Sequence, residues 1–298
     1  KPKFTGSAPR DSSLIAFGSC NERFRPQPMW RTLEAARPDL FIYCGDNVYA
    51  DTDDMTIMQA AYDKLAADPG CQSFRRNIPI VATWDDHDYG TDNVGADYPK
   101  KAESKEIFLK FFNEPEDSSR RRHEGVYTSY MLGEPGRTVQ IILLDLRWFK
   151  VYGGPLLGEE QWTWLEQQLR VPADVRLVVS SSQFAVKGSP WEKWDDHPQD
   201  KARFFALVDE LELRNILILS GDMHYGEFSR NFTPGGIELV DFTSSGLNRW
   251  ETAEGIPNAN RFGLYDTGEN FGIVEIDWSR DPISVKLELR DLNGEPVL

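Results

Sequence analysis

The residues of this chain that can do chemistry fall at six comparable places, each directly after a short apolar run. Residues 14–17 lead into Gly18-Ser19-Cys20-Asn21, and 40–43 into Cys44-Gly45-Asp46-Asn47-Val48-Tyr49. Residues 78–82 lead into Thr83-Trp84-Asp85-Asp86-His87-Asp88, and 139–144 into Asp145-Leu146-Arg147. Residues 176–179 lead into Ser180-Ser181-Ser182-Gln183, and 216–219 into Ser220-Gly221-Asp222-Met223-His224. Carboxylates, an imidazole, a thiolate and a phenol together make a metal-binding set. Carboxylate oxygens favour hard cations such as Ca²⁺, Mg²⁺ or Mn²⁺, whereas thiolate and imidazole favour Fe or Zn. The mixture points to two ions sharing a carboxylate. Asp46 is the candidate bridge, because Gly45 lets the backbone turn sharply before it. Two close cations clamp the attacking and leaving oxygens of a phosphoryl group.

These residues need elements to bring them together. The apolar runs are short and rich in branched residues, as buried strands are. Between them lie segments with helical spacing at 55–67, 101–112, 159–169 and 203–213; Trp162, Leu165 and Leu169 mark one apolar face, and Phe204, Leu207, Val208 and Leu211 another. Strands alternating with helices predict βαβ units in a largely parallel sheet. In such sheets ligands sit at the carboxyl ends of the strands, which is where all six polar stretches fall. The last third is different: 237–242, 271–277 and 283–289 read as strands with little helix between them, expected to form a second, more antiparallel sheet. No repeat or linker divides the chain, so residues 1–298 are expected to form a single domain.

Composition narrows the function classes. The 298 residues carry 33 Lys and Arg against 48 Asp and Glu, a net charge of −15. So acidic a chain is a poor candidate for a nucleic-acid or anionic-membrane surface, and an anionic substrate would have to be drawn in by bound cations. No apolar run reaches the roughly 18 residues of a membrane span. Three cysteines, Cys20, Cys44 and Cys71, make no disulfide framework; Cys44 and Cys71 read as buried and inert. The chain opens at Lys1 without a Met, as a mature or trimmed product would, and no targeting segment is visible. Serine-elbow, Walker A and H-E-x-x-H motifs are absent.

In combination, the motifs resemble the PhoD-type alkaline phosphatase/phosphodiesterase family of the calcineurin-like metallophosphoesterase superfamily. The resemblance runs over 14–277 and rests on Gly18-Ser19-Cys20, on Gly45-Asp46-Asn47-Val48-Tyr49-Ala50-Asp51, on Trp84-Asp85-Asp86-His87-Asp88, on Leu144-Asp145-Leu146-Arg147, on Leu157-Gly158-Glu159-Glu160-Gln161 with Trp164-Leu165, and on Gly221-Asp222-Met223-His224. Asp86 stands where the superfamily usually has Asn, Asp222 where it has His, and Gln183 at its lone-His position. The amino-terminal domain of the family is not seen, so the likeness is to its short form.

The resemblance implies an α/β fold, the four-layer α/β-β/α sandwich of metallophosphoesterases. It implies hydrolysis of phosphate mono- or diesters by a metal-activated hydroxide at a mixed Fe³⁺/Ca²⁺ centre, with Zn or Mn as the substitutes expected second. Cys20, Asp46, Tyr49 and His224 would hold iron; Asp46, Asp86 and Asp222 would hold calcium. His87 would protonate the leaving oxygen or stabilise the equatorial charge, oriented by Asp85 or Asp88, and Arg147, anchored by Asp145, would fork onto phosphate oxygens. Asn47 and Gln183 would bind substrate. The expected partner is a small phosphate ester, with no obligate protein partner, and the expected compartment is periplasmic or secreted.

Other readings stay open from the residues alone. A phospholipase D-like or nucleotide-directed diesterase would share these motifs and differ in its loops. A calcium-binding structural module without catalysis would need neither His87 nor Cys20. A mononuclear iron enzyme would want a two-His triad, and only four histidines exist. The run Asp51-x-Asp53-Asp54 begins like a calcium loop but lacks the Gly and Glu that complete one; it is either solvated or an outer ligand. Arg120-Arg121-Arg122-His123 is either a solvated face or a guide for an anionic tail. Trp191 and Trp194 either wall a groove or plug the loop beneath them, and His197 reads as a surface residue.

Overall fold

A computed structural model describes residues 11–298. The described chain runs β1 (Ser12–Gly18), α1 (Met29–Ala36), β2 (Leu40–Cys44), α2 (Met55–Ala67), α3 (Pro69–Asn77), β3 (Ile80–Thr83), α4 (Asp86–Tyr89), α5 (Lys101–Phe111), β4 (Thr128–Leu132), β5 (Val139–Leu143), α6 (Gly158–Leu169), β6 (Val175–Val179), α7 (Pro198–Glu210), β7 (Ile216–Ser220), β8 (Gly226–Phe232), β9 (Glu238–Ser244), β10 (Arg261–Tyr265), β11 (Asn270–Asp277) and β12 (Ser284–Asp291). Two sheets result, one ordered β12-β11-β1-β2-β3 and the other β10-β8-β9-β7-β6-β5-β4.

Side-chain alternation along the strands builds the layers. Leu40, Ile42 and Cys44 of β2 point between the two sheets, where they meet Leu143, Val179, Leu219 and Phe242. Phe41 and Tyr43 point the other way, into a layer with Trp30, Met58, Phe74 and Phe108 from α1, α2, α3 and α5. Ile142, Val178 and Ile218 of the second sheet likewise turn outward onto Trp162, Leu165, Phe204 and Val208 of α6 and α7. Helices, sheet, sheet, helices: this is the expected four-layer α/β-β/α sandwich. Strands buried on both faces need continuous apolar runs, which is why 40–43, 139–144 and 216–219 were readable.

Helix boundaries follow local signals. Asp54 caps α2 by accepting from the Thr56 N–H at 2.8 Å, and Asp68 caps α3 from Cys71 at 2.9 Å ahead of Pro69. The helix expected at 203–213 instead starts at Pro198 and ends at Glu210, because proline suits the first helical position and ends nothing there.

The last third departs from expectation. It makes no sheet of its own; it completes both. β11 pairs antiparallel with β1, and β12 with β11, at the edge of the first sheet. β9 pairs parallel with β7, and β8 antiparallel with β9, in the second. β9 therefore ends at the same edge as β7. Strands β4, β8 and β10 were not anticipated: β10 is half-exposed and β8 carries Arg230 and Asn231, so neither shows an apolar run. No helix among the described residues is long and apolar enough to cross a membrane.

Candidate metal centre

The parallel strands of both sheets deliver their carboxyl ends to one place, and the chain turns there in conformations that L residues rarely adopt. Cys20 (φ 61°), Asp46 (φ 51°), Asp222 (φ 72°) and His224 (φ 62°) all lie in the left-handed region, a strain that persists where the surrounding structure imposes it and that gathers at functional sites. At Gly45 (φ +98°) a Cβ would stand 2.7 Å from the Asp85 Cβ, so glycine is needed for the close approach as well as for the turn.

Asp46 is the centre of the arrangement. It is fully buried, and its Oδ2 accepts from the Tyr49 hydroxyl at 3.1 Å and the Cys20 thiol at 3.4 Å. The Tyr49 oxygen also lies 3.0 Å from Nε2 of His224. Donor atoms of three overlapping groups each lie within 4.8 Å of one another: Cys20, Asp46 and His224; Asp46, Asp86 and His87; and Asp46, Asp85, Asp86 and Asp222. Asp46 belongs to all three. Five of the six residues expected as metal ligands fall in these groups, with Asp85 and His87 beside them; the sixth, Tyr49, joins through its contacts to Asp46 and His224.

The electrostatics call for positive charge. Burial, reinforced by the negative charges of Cys20, Asp86 and Asp85, pushes the Asp46 carboxyl well above the carboxylate range. Burial does the same to Asp222, with Asp85 and Asp86 adding to it, and lifts Asp85 to about 6. Burial raises Cys20 and Tyr49 too. Burial holds His224 below its usual value, in the neutral form that a ligand needs. Oδ1 of Asp46, Oδ1 of Asp86 and Oδ2 of Asp85 are buried without a hydrogen-bond partner. Buried carboxylate oxygens rarely stay unpaired, and cations of the kind the oxygen, sulfur and nitrogen donors suit would satisfy them.

His87 sits beside this cluster at the start of α4, its ring 4.3 Å from that of Tyr49. Asp51, not Asp85 or Asp88, holds it, through Nδ1. Burial works against charge on His87, but that hydrogen bond and the carboxylates of Asp46 and Asp86 lift it to about 10. Asp88 faces inward instead, accepting from the Asp85 N–H at 2.7 Å and the Tyr62 hydroxyl at 3.2 Å. Asp85 is taken by Arg147 and by the Ser181 hydroxyl at 2.9 Å.

Other expectations change. Arg147 does not present a free fork: its side chain is 1% exposed, and its nitrogens face Asp85, Asp86 at 3.6 Å and Glu192 at 3.0 Å. Asp145 does anchor it, accepting from the Arg147 N–H at 2.8 Å. The Gln183 amide donates to Thr243 at 2.9 Å and to Glu227 at 3.2 Å, in a buried network behind the site. Asn47 donates to the Thr83 carbonyl at 2.9 Å and to Asp88, leaving its Oδ1 buried and without a partner. Trp194 is the plug, buried with its indole N–H on Ser180 at 2.9 Å, while Trp191 is exposed. His197 is buried rather than superficial, its ring on the Gly154 carbonyl at 2.8 Å. Arg120 is also buried, bound to the carbonyls of Val126 and Ala82, so the basic run is not simply a solvated face. Among the described residues the 51–54 run joins no donor cluster. The three cysteines are free.

Sequence reasoning missed the loop after β9. Ser245 lies 3.1 Å from the Cys20 sulfur and accepts from the His224 N–H at 2.7 Å. Arg249 stands over the Tyr49 ring at 4.4 Å, and Glu251 lies 3.3 Å from His224 Nδ1. The signal existed: 237–242 is an apolar run ending in Thr243-Ser244-Ser245, but it was assigned to a separate sheet.

This fold and this clustered edge define a metallophosphoesterase-type α/β sandwich. The sequence matches the PhoD-like phosphatase family over residues 15–287; the chain belongs to that family, and is a phosphoric ester hydrolase. The solved structure of PhoD superposes with a TM-score of 0.74 at 15% identity, covering 96% of this chain and 72% of that one, a likeness of fold. A Staphylococcus aureus structure assigned as a 5′-nucleotidase covers 96% of this chain and 56% of its own at 14% identity, with a TM-score of 0.47, too slight to carry an argument. No curated protein matches the sequence.

Proposed function

We propose that residues 1–298 act as one catalytic domain that hydrolyses phosphate mono- or diesters at a mixed iron–calcium centre. The observation that carries this is the Asp46 carboxylate, shared by three donor clusters with one oxygen buried and unpartnered. Cys20, Tyr49 and His224 would complete an iron site with Asp46. Asp86 and Asp222, with Asp85 beside them, would complete an oxygen-only calcium site. A calcium-binding module alone has no use for the Cys20 thiol. When bound, the cations neutralise the phosphoryl oxygens and activate water as nucleophile.

The protein's own groups do the rest. Asp51 fixes the His87 ring and keeps its proton in place, so His87 can give that proton to the departing oxygen. Arg147 is a positioning residue: it holds Asp85 and Asp86 in register. Asn47, its Oδ1 buried without a partner, is the polar group left for substrate beside the centre, whereas Gln183 is held in the buried network on Thr243 and Glu227. The small phosphate ester needs no protein partner. An iron–calcium centre suits an oxidising, calcium-rich compartment, so we place the protein in the periplasm or outside the cell. The test is hydrolysis of p-nitrophenyl phosphate and bis-p-nitrophenyl phosphate by iron- and calcium-loaded protein. Turnover of either that is abolished in Asp46→Asn supports the reading; no turnover of either by the loaded wild type contradicts it.

A further inference from the structure

The assignment of Arg147 to its carboxylates leaves the substrate's negative oxygens without a guanidinium. Lys150 is committed too, bound to Glu192 and to the Asn93 carbonyl at 3.2 Å. Arg249 is differently placed. Its guanidinium lies 4.4 Å over the ring of Tyr49, whose hydroxyl touches Asp46 and His224. Its Nε is buried with no hydrogen-bond partner. Its Nη1 forms a loose ion pair with Glu22 at 3.6 Å, too long to be a hydrogen bond. The side chain is 28% exposed, so part of it reaches solvent beside Tyr49. The loop beneath is fixed: the Arg249 N–H donates to the Cys20 carbonyl at 3.3 Å, and Asn248 clasps Glu22 with bonds of 2.6 and 2.9 Å.

We propose that Arg249 is the substrate-binding arginine of this site, the exposed end of its guanidinium turning from Glu22 to take a non-bridging phosphoryl oxygen at the mouth of the centre. A guanidinium stacked on an aromatic ring keeps its edge free for a planar, two-point contact with an oxyanion. The stack on Tyr49 aims that edge, and the clasp on Cys20 and Glu22 ties its position to the residues around the donor cluster. The inference rests on the phosphoesterase reading and assigns within it the anion contact that Arg147 cannot make.

The test is binding of inorganic phosphate to iron- and calcium-loaded protein by titration calorimetry, with metal content measured on the same samples. Arg249→Met should weaken phosphate about 10- to 100-fold, the range of one charge-assisted contact, with metal content unchanged. Arg249→Lys should lose less, since it restores charge but not the fork. Arg203→Met, which removes the same charge from the outer face of α7, should change nothing. Should Arg249→Met fail to fold, Arg249→Gln, which keeps the stem and loses the charge, should show the same weakening. Unchanged phosphate affinity in these Arg249 variants overturns the proposal. So does affinity lost in step with metal content, which makes Arg249 a mere support for Tyr49. A wild type that binds phosphate but hydrolyses no ester contradicts the function proposed above, while the Arg249 variants still decide the contact.

Discussion

At the residue scale, a buried carboxylate that bridges donor clusters and a histidine held by an acid are the two groups whose removal should cost most. Asp46→Asn should lower turnover by about 10³-fold or more, a loss of several kcal/mol of charge stabilisation, and should empty the centre as seen by elemental analysis. His87→Asn should cost about 10²- to 10⁴-fold with metal content retained, the range of general acid catalysis. The pH profile separates the role of Asp51. His87 is held up to about 10 by its bond to Asp51 and by nearby carboxylates, and it is useful as an acid only while protonated. Bound cations offset those carboxylates and bring the value down, so activity should fall on an alkaline limb below pH 10. Asp51→Asn removes one raising charge, and that limb should move to lower pH in a kcat profile; a limb that stays put gives the proton to another group. The sequence showed the types of these residues but not the pairing: His87 and Asp51 are joined by the fold of the 46–51 turn onto α4, where the Ala50 N–H meets the His87 carbonyl at 3.0 Å.

At the element scale, the site is made by strands stopping at one edge and by the turns that follow them. Five residue positions carried that signal clearly, because Cys20, Asp46, Asp86, Asp222 and His224 each follow a continuous apolar run of a strand buried on both faces. The contribution of β9 was less legible. Periodicity marks 237–242 as a strand, but only its parallel pairing with β7 shows that Ser245 and Arg249 arrive at the same edge. Pairing is a long-range property that local pattern does not encode. The bend after β2 gives a direct test of how tightly an element aims its ligand. Gly45→Ala places a Cβ against Asp85 in a left-handed backbone. It should cost about 1–3 kcal/mol in chemical denaturation and weaken metal retention; a variant of wild-type stability would mean that the turn relaxes freely.

At the scale of the whole molecule, two half-sites lie on two sheets. Cys20, Asp46 and Asp86 belong to the first and Asp222 and His224 to the second, and the shared apolar layer between them fixes their spacing. Cations bound across that seam should tie the sheets together, raising the midpoint of thermal unfolding in proportion to RT ln(1 + [metal]/Kd). Chelation should lower it, by more at neutral than at acidic pH. The sign follows from Asp85, which in the folded protein keeps its proton up to about pH 6 while the unfolded chain releases it near 4. Stability of the metal-free protein therefore falls as pH rises through that window, and Asp46 and Asp222, also raised, extend the fall upward. The layer architecture was legible from strand–helix alternation, whereas the division of the last third between both sheets was not, because antiparallel closing strands such as β8 and β10 bury too little apolar surface to announce themselves.

The most direct test of the central claim is elemental analysis of the protein purified without added metal, wild type beside Asp46→Asn. A shared carboxylate between a sulfur- and nitrogen-bearing site and an oxygen-only site predicts iron and calcium together in near-stoichiometric amounts, both lost in the variant. Calcium alone in the wild type, or a metal complement that Asp46→Asn leaves intact, would contradict it.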